Sequence, residues 1–188
     1  MFSGFYANRG VSGLAIGGGI MGKCWIGMVV GSLTALTVPG HAADRAEDAV
    51  RRGEYLAAIM DCGGCHTDGA LAGQPNPARR LAGSGIGFEI PGLGVFYPPN
   101  LTSDRQTGMG DWSAADIAKA LRTGVRPDGR ELAPAMPWRA YANLNDDDLA
   151  ALAAYLKGLE PVVNKVPPIV ASGDAASAPY LTVAMPKK

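Results

Sequence analysis

Cys62-Gly-Gly-Cys65-His66 sets two thiols three positions apart, with an imidazole immediately after the second. Thiols one short turn apart can add to two vinyl groups along one side of a porphyrin. The next residue then lies beneath the ring, where an imidazole can bind iron. The pattern predicts covalent attachment of one c-type haem, with Cys62 and Cys65 as anchors and His66 as the proximal iron ligand. Gly63 and Gly64 are expected to let the backbone pass close to the macrocycle. Other chemistries fit less well. A redox dithiol would accompany a βαβ alternation, which this sequence lacks. Structural zinc needs four ligands, and a plain disulfide leaves His66 without a role.

The remaining cysteine and histidine, Cys24 and His41, lie in an N-terminal segment that reads as an export signal. Lys23 precedes an apolar run from Trp25 to Val38, and small residues follow at Gly40 and Ala42. The run is short for a membrane span, so cleavage is expected and a retained anchor is the alternative. Residues 1–42 are therefore assigned to a signal peptide, with a start at Met21 giving a tidier one. Their removal takes Arg9 and Lys23 but no acidic residue from a chain with 17 of each sign. The remainder is slightly acidic and has no long like-charge run, which argues against nucleic acid and an anionic membrane surface as partners.

With His66 the sole histidine after residue 42, bis-histidine ligation is excluded and a thioether is the expected sixth ligand. Four methionines remain: Met60, Met109, Met136 and Met185. Met60 adjoins the attachment site and cannot reach the opposite ring face, and Met185 lies in a Pro-rich tail. Met109 sits between two glycines, whereas Met136 is held in Ala133-Pro-Ala-Met-Pro-Trp138. Pro137 restricts Met136 to extended backbone and Pro134 stiffens the approach. Met136 is the expected distal ligand, with Met109 in reserve and ordinary core packing as the competing role for either.

Three helices must position these groups. The first is read from Asp44 to Met60, with Asp44 and Glu47 as a capping box. Its stripe is Ala49, Gly53, Leu56, Ala57 and Met60, where Gly53 suits close approach of a second helix. The second starts at Ser113, boxed with Asp116 and ending at Gly124. The third starts at Asn145 and buries Leu149, Leu152, Leu156 and Leu159. Asp146, Asp147 and Asp148 suit its positive N-terminal end rather than a metal. Residues 67–110 hold nine glycines and five prolines, a long loop that makes sense wrapped around a cofactor, with a short hairpin expected within Gly87–Tyr97. Arg79, Arg80 and Arg130 are candidate partners for haem propionates, against an ordinary surface role. Residues 161–188, with five prolines, read as an extended arm, either packed along the domain or partly disordered.

Several of these segments in combination resemble one family. They are Gly53-Glu-Tyr-Leu-Ala57 leading into Cys62–Thr67, Asn100-Leu-Thr-Ser-Asp104, Thr107–Ser113, Gly124–Arg130, Pro134-Ala-Met-Pro137 and Leu149–Leu156. The chain resembles, over residues 45–160, the haem domains of cytochrome c subunits of bacterial membrane-bound alcohol, polyol and aldehyde dehydrogenases. The resemblance implies an all-α, class I cytochrome c fold over residues 43–160, with terminal helices crossing near Gly53 and Tyr155. It implies Cys62, Cys65 and His66 as haem attachment and proximal ligand, and Met136 as distal ligand. It further implies a periplasmic electron carrier that takes electrons from a dehydrogenase and passes them to quinone or an oxidase, without a small-molecule substrate of its own. Many such subunits carry three haem motifs, and this chain carries one. Two other readings stand beside the carrier: a haem enzyme or gas sensor with an open distal position, and a membrane-anchored dehydrogenase subunit.

Overall fold

The computed structural model describes residues 40–186. The expected export segment lies outside the described residues apart from its last three, which form the start of helix α1 (Gly40–Ile59). Asp44 is therefore inside the helix and not its cap, contrary to the capping box read with Glu47. An N-cap needs non-helical backbone, and Ala42-Ala43 carries the helix past that point with the strongest helix formers. The apolar stripe holds: Gly53, Leu56 and Ala57 are buried and Ala49 and Met60 half-buried.

Helix α2 (Cys62–His66) is a single turn over the attachment motif. Helix α3 (Ala114–Thr123) begins with the expected capping box. Ser113 Oγ accepts from Asp116 N at 3.1 Å, Ser113 N donates to the Asp116 carboxylate at 2.9 Å, and Gly124 closes the helix in left-handed conformation. Helix α4 (Trp138–Tyr141) is a short turn after Met136 that the sequence reading did not contain. Helix α5 (Asp146–Lys157) starts at Asn145, whose Oδ1 accepts from Asp148 N at 2.8 Å. Leu149, Leu152 and Leu156 are buried as expected, while Leu159 lies beyond the helix and is half-buried.

α1 and α5 form the main helix–helix interface. A Cβ on Gly53 would lie 2.6 Å from Tyr155 Cβ and would strike the Ala151 carbonyl oxygen, so the two backbones meet where the sequence supplies no side chain. Arg52 clamps the edge of this crossing with two bonds to Asp148, at 2.7 and 3.1 Å. Leu56, Leu121, Leu152 and Leu156 join one core cluster with Cys62 and Met109.

The long loop is pinned turn by turn. Two 3-10 turns, Ala70–Ala72 and Pro77–Arg79, lead to strand β1 (Gly87–Ile90), which pairs antiparallel with β2 (Gly94–Phe96). This is the expected hairpin. The C-terminal arm then adds a third strand, β3 (Tyr180–Leu181), parallel to β1, and Val170 bridges to Val95. The fold is thus helical with a small sheet of order β2-β1-β3, in which the arm packs along the domain and adds to the expected hairpin a third strand that the helical reading lacked. The reason lies in backbone satisfaction. The outer edge of β1 presents donors such as Gly87 N, which Pro179 O accepts at 2.9 Å. No helix among the described residues is long and apolar enough to cross a membrane.

Candidate functional site

The attachment turn hangs from α1 by Asp61. This residue takes left-handed backbone (φ 53°), and its carboxylate accepts from Gly64 N at 3.1 Å, capping α2. A Cβ on Gly64 would come within 2.6 Å of that carboxylate carbon. Gly64 is therefore small because the cap folds back on it. Gly63 and Gly64 line a groove with Ala57, Thr67 and Arg80.

Cys62, Cys65 and His66 line an apolar cavity of about 520 Å³, a size usual for ligand and cofactor sites. Met109 and Met136 line the same cavity, with Trp112, Leu121 and Leu156 from the helical side and Phe88, Phe96 and Pro99 from the loop. The structure thus brings together all four expected site residues and also the reserve methionine. Met109 is buried in the core cluster, whereas Met136 is only half-buried and packs against that cluster. Met60 also reaches the cavity wall, and Met185 is exposed on the tail, away from it.

The imidazole is fixed in orientation. Nδ1 of His66 stands 2.8 Å from the Pro99 carbonyl oxygen, which can only accept, so Nδ1 carries the proton and Nε2 keeps a free lone pair in the neutral ring. Burial lowers the pKa of His66 and so favours that neutral form, with the Pro99 bond opposing. The next residue, Asn100, is buried and anchors this stretch of chain through its side chain. Asn100 Oδ1 accepts from Thr102 N at 2.9 Å and Thr102 Oγ1 at 2.7 Å. Its amide donates to Thr107 Oγ1 at 3.1 Å and to the Val162 carbonyl at 2.7 Å. The sequence reading missed this role, although the segment from Asn100 to Asp104 was among the quoted motifs.

Burial pushes the Cys62 thiol up to about 11 and raises Cys65 as well. Both are free thiols, and a protonated thiol is a poor nucleophile and metal ligand. Among the described residues no group of three or more His, Cys, Asp or Glu is assembled to hold a metal ion. Tyr141, from α4, ties the distal segment to the attachment end: its hydroxyl donates to Met60 O at 3.1 Å. Burial, then the nearby Cys62, Cys65 and Asp61, push it up to about 12.

The donor set and the cavity fit a planar iron porphyrin. Two thiols and a nitrogen with a free lone pair share one wall, thioethers are available around the same space, and the lining is largely apolar. Arg79 and Arg80 do not reach this cavity. Arg79 bonds Asn164 at 3.1 Å and Arg80 pairs with Glu54 at 3.1 Å, whereas Arg130 does line it, together with Arg126, which the sequence reading had not singled out.

Residues 50–160 match the family model described as cytochrome c. The chain is 43% identical over 132 residues to the cytochrome c subunit of a quinone alcohol dehydrogenase of Gluconobacter oxydans (strain 621H), covering 69% of this chain and 26% of that protein. It is 42% identical over 144 residues to the gluconate 2-dehydrogenase cytochrome c subunit of Pantoea cypripedii, covering 76% and 30%. It is 36% identical over 131 residues to the fructose dehydrogenase cytochrome subunit of Gluconobacter japonicus, covering 70% and 24%. The match spans less than a third of the length of each of these relatives.

Proposed function

The chain belongs to the cytochrome c family, and on that premise we propose that it is a monohaem carrier of single electrons in the periplasm, with a dehydrogenase as donor and the respiratory chain as acceptor. One observation carries the reading most: Cys62, Cys65 and a His66 oriented by Pro99 share a wall of an apolar cavity. Bound haem c would supply an iron that alternates between two oxidation states one electron apart. Cys62 and Cys65 would anchor it, and His66 Nε2 would ligate its iron. The Met136 thioether would be the second protein ligand, filling the position an enzyme or sensor would leave open and favouring the reduced state. The choice of Met136 over Met109 rests on the two flanking prolines, on its place in the segment that Tyr141 ties to the attachment end, and on Met109's burial in the helical core. The apolar lining excludes water, which lowers the cost of reorganisation around the changing charge and opposes side reactions.

Residues 1–42 act in this reading as the export segment, residues 43–160 as the haem domain and residues 161–188 as an arm that closes over the loop side. Support for the arm's role comes from Val162 and Asn164, which bond Asn100 and Ala82, and from Val166 and Ile169 in the cavity wall. The dehydrogenase donor follows from the subunits that the chain resembles.

The ligand assignment separates the carrier from a haem enzyme. Met136→Ala should abolish the near-infrared sulfur-to-iron band, lower the reduction potential and open the iron to carbon monoxide, while Met109→Ala should leave the band in place. Rapid binding of carbon monoxide by the unmodified protein would refute the carrier.

A further inference from the structure

The cavity has a second polar feature besides the thiols and imidazole. A tight turn joins Val125 to Glu131, which bridge each other, and Gly129 takes the left-handed corner at φ 81°. Arg126 N donates to Arg130 O at 3.0 Å, and Arg130 N donates to the Asp128 carboxylate at 3.1 Å. The turn places two guanidinium groups on the cavity lining, where Asp61 is the sole other charged side chain.

Neither guanidinium is well satisfied. Arg126 is 21% exposed, lies 4.9 Å over the Trp112 ring and makes one side-chain bond among the described residues, a long one of 3.3 Å to the outlying Asp128. Arg130 makes no side-chain hydrogen bond or ion pair among the described residues. A guanidinium offers five donors in a planar fork made for carboxylates. Arg126 is half-buried and Arg130 exposed, and among the described residues of the turn Asp128 is the one carboxylate beside two cations. Their mutual repulsion shows in Arg130, whose pKa is lowered by burial and then by Arg126, with Asp128 opposing.

The arginines line the cavity from the turn that follows α3, whereas the thiols line it from α2. A porphyrin of the haem type carries its two vinyl groups on one edge and its two propionates on the opposite edge.

We infer that Arg126 and Arg130 form the carboxylate subsite of this cavity, pairing with the two haem propionates while Cys62 and Cys65 hold the vinyl edge. The inference rests on the haem reading and adds an electrostatic lever to it. Two positive charges beside the propionates offset their negative field at the iron and hold the reduction potential up.

The test compares midpoint potentials of the holoprotein with those of R126Q, R130Q, R126Q/R130Q and R126K/R130K, with R79Q as a surface control. Arg130 has no side-chain partner to lose, so R130Q alone keeps the test open if the double variant fails to fold. Each neutral variant should have a lower potential than the wild type, and the double variant the lowest. The lysine pair should recover most of the loss, and R79Q should show none. An unchanged potential in R130Q and R126Q, a fall that lysine does not recover, or an equal fall in R79Q would overturn the subsite. A wild-type chain without covalent haem would overturn the underlying haem reading instead.

Discussion

Adding one methyl group at Gly53 should destabilise the protein even though alanine is the better helix former. In the interior of α1, Gly→Ala gains about 1 kcal/mol of helix propensity. Against that stands the crossing with α5. The new Cβ would lie 2.6 Å from Tyr155 Cβ and 2.7 Å from the Ala151 carbonyl carbon, when carbon atoms rest comfortably at about 3.5–4.0 Å. The obstacle is largely backbone, so no rotamer change relieves it, and the helices must part by about 1 Å. Overpacking of this kind costs about 1–3 kcal/mol, occasionally more. Parting the helices also loosens Leu56 and Ala57 against the core cluster with Leu152 and Leu156. With the upper part of that range set against the propensity gain, Gly53→Ala should lose about 2 kcal/mol net. For a domain of this size that is a fall of about 4–8 °C in Tm. Thermal and urea unfolding of the haem-loaded protein, followed by far-ultraviolet circular dichroism, would measure it. A variant as stable as the parent, or about 1 kcal/mol more stable, would show that propensity wins and that the two backbones are not in contact.

Asn100→Ala should cost on the order of 3 kcal/mol, because it strips partners from buried Thr102 and from the Val162 carbonyl. It should also broaden the haem spectrum by loosening the Pro99 carbonyl that orients His66, and urea unfolding with visible spectroscopy checks both effects. Asp148 is held below the usual carboxylate range by its bonds to Arg52, with partial burial opposing and Asn145 adding to the effect. The unfolded chain therefore takes up that proton at higher pH than the folded one. The stabilisation is complete above the ordinary carboxylate range and drains away as pH falls through the lowered value. Asp148→Asn should accordingly lower the urea midpoint most at pH 7, with the gap to the parent closing as pH falls below the ordinary carboxylate range.

What could be read from the sequence was local chemistry. Ser113 with Asp116, Asn145, Gly124 and the Leu149–Leu152–Leu156 stripe declare themselves within a few residues, and all occupy the expected places. The Cys-x-x-Cys-His spacing likewise names its own partners. What escaped depends on contacts far apart in the chain. The pairing of β3 with β1 joins residues over ninety positions apart, and no local propensity in a Pro-rich tail announces a strand. Gly64 illustrates the same limit: a Cβ there would meet the Asp61 carboxylate that caps the turn, a contact the motif's spacing does not announce. Arg126 was invisible for a similar reason, since a surface-type residue becomes a cavity residue only once the turn to Arg130 closes. Asn100 carries no periodicity at all, and its value lies in four bonds that reach from Thr102 to Val162.

The central claim is that one haem is bonded to Cys62 and Cys65, and a denaturing gel stained for haem tests it most directly. The protein should be made in a host that exports and matures c-type cytochromes, and its intact mass taken alongside. Haem should migrate with the polypeptide after acid-acetone extraction, at one haem per chain by mass, and Cys62→Ala/Cys65→Ala should give a chain without stain. Haem lost on extraction, or a polypeptide of bare mass from correctly matured cells, would contradict the account.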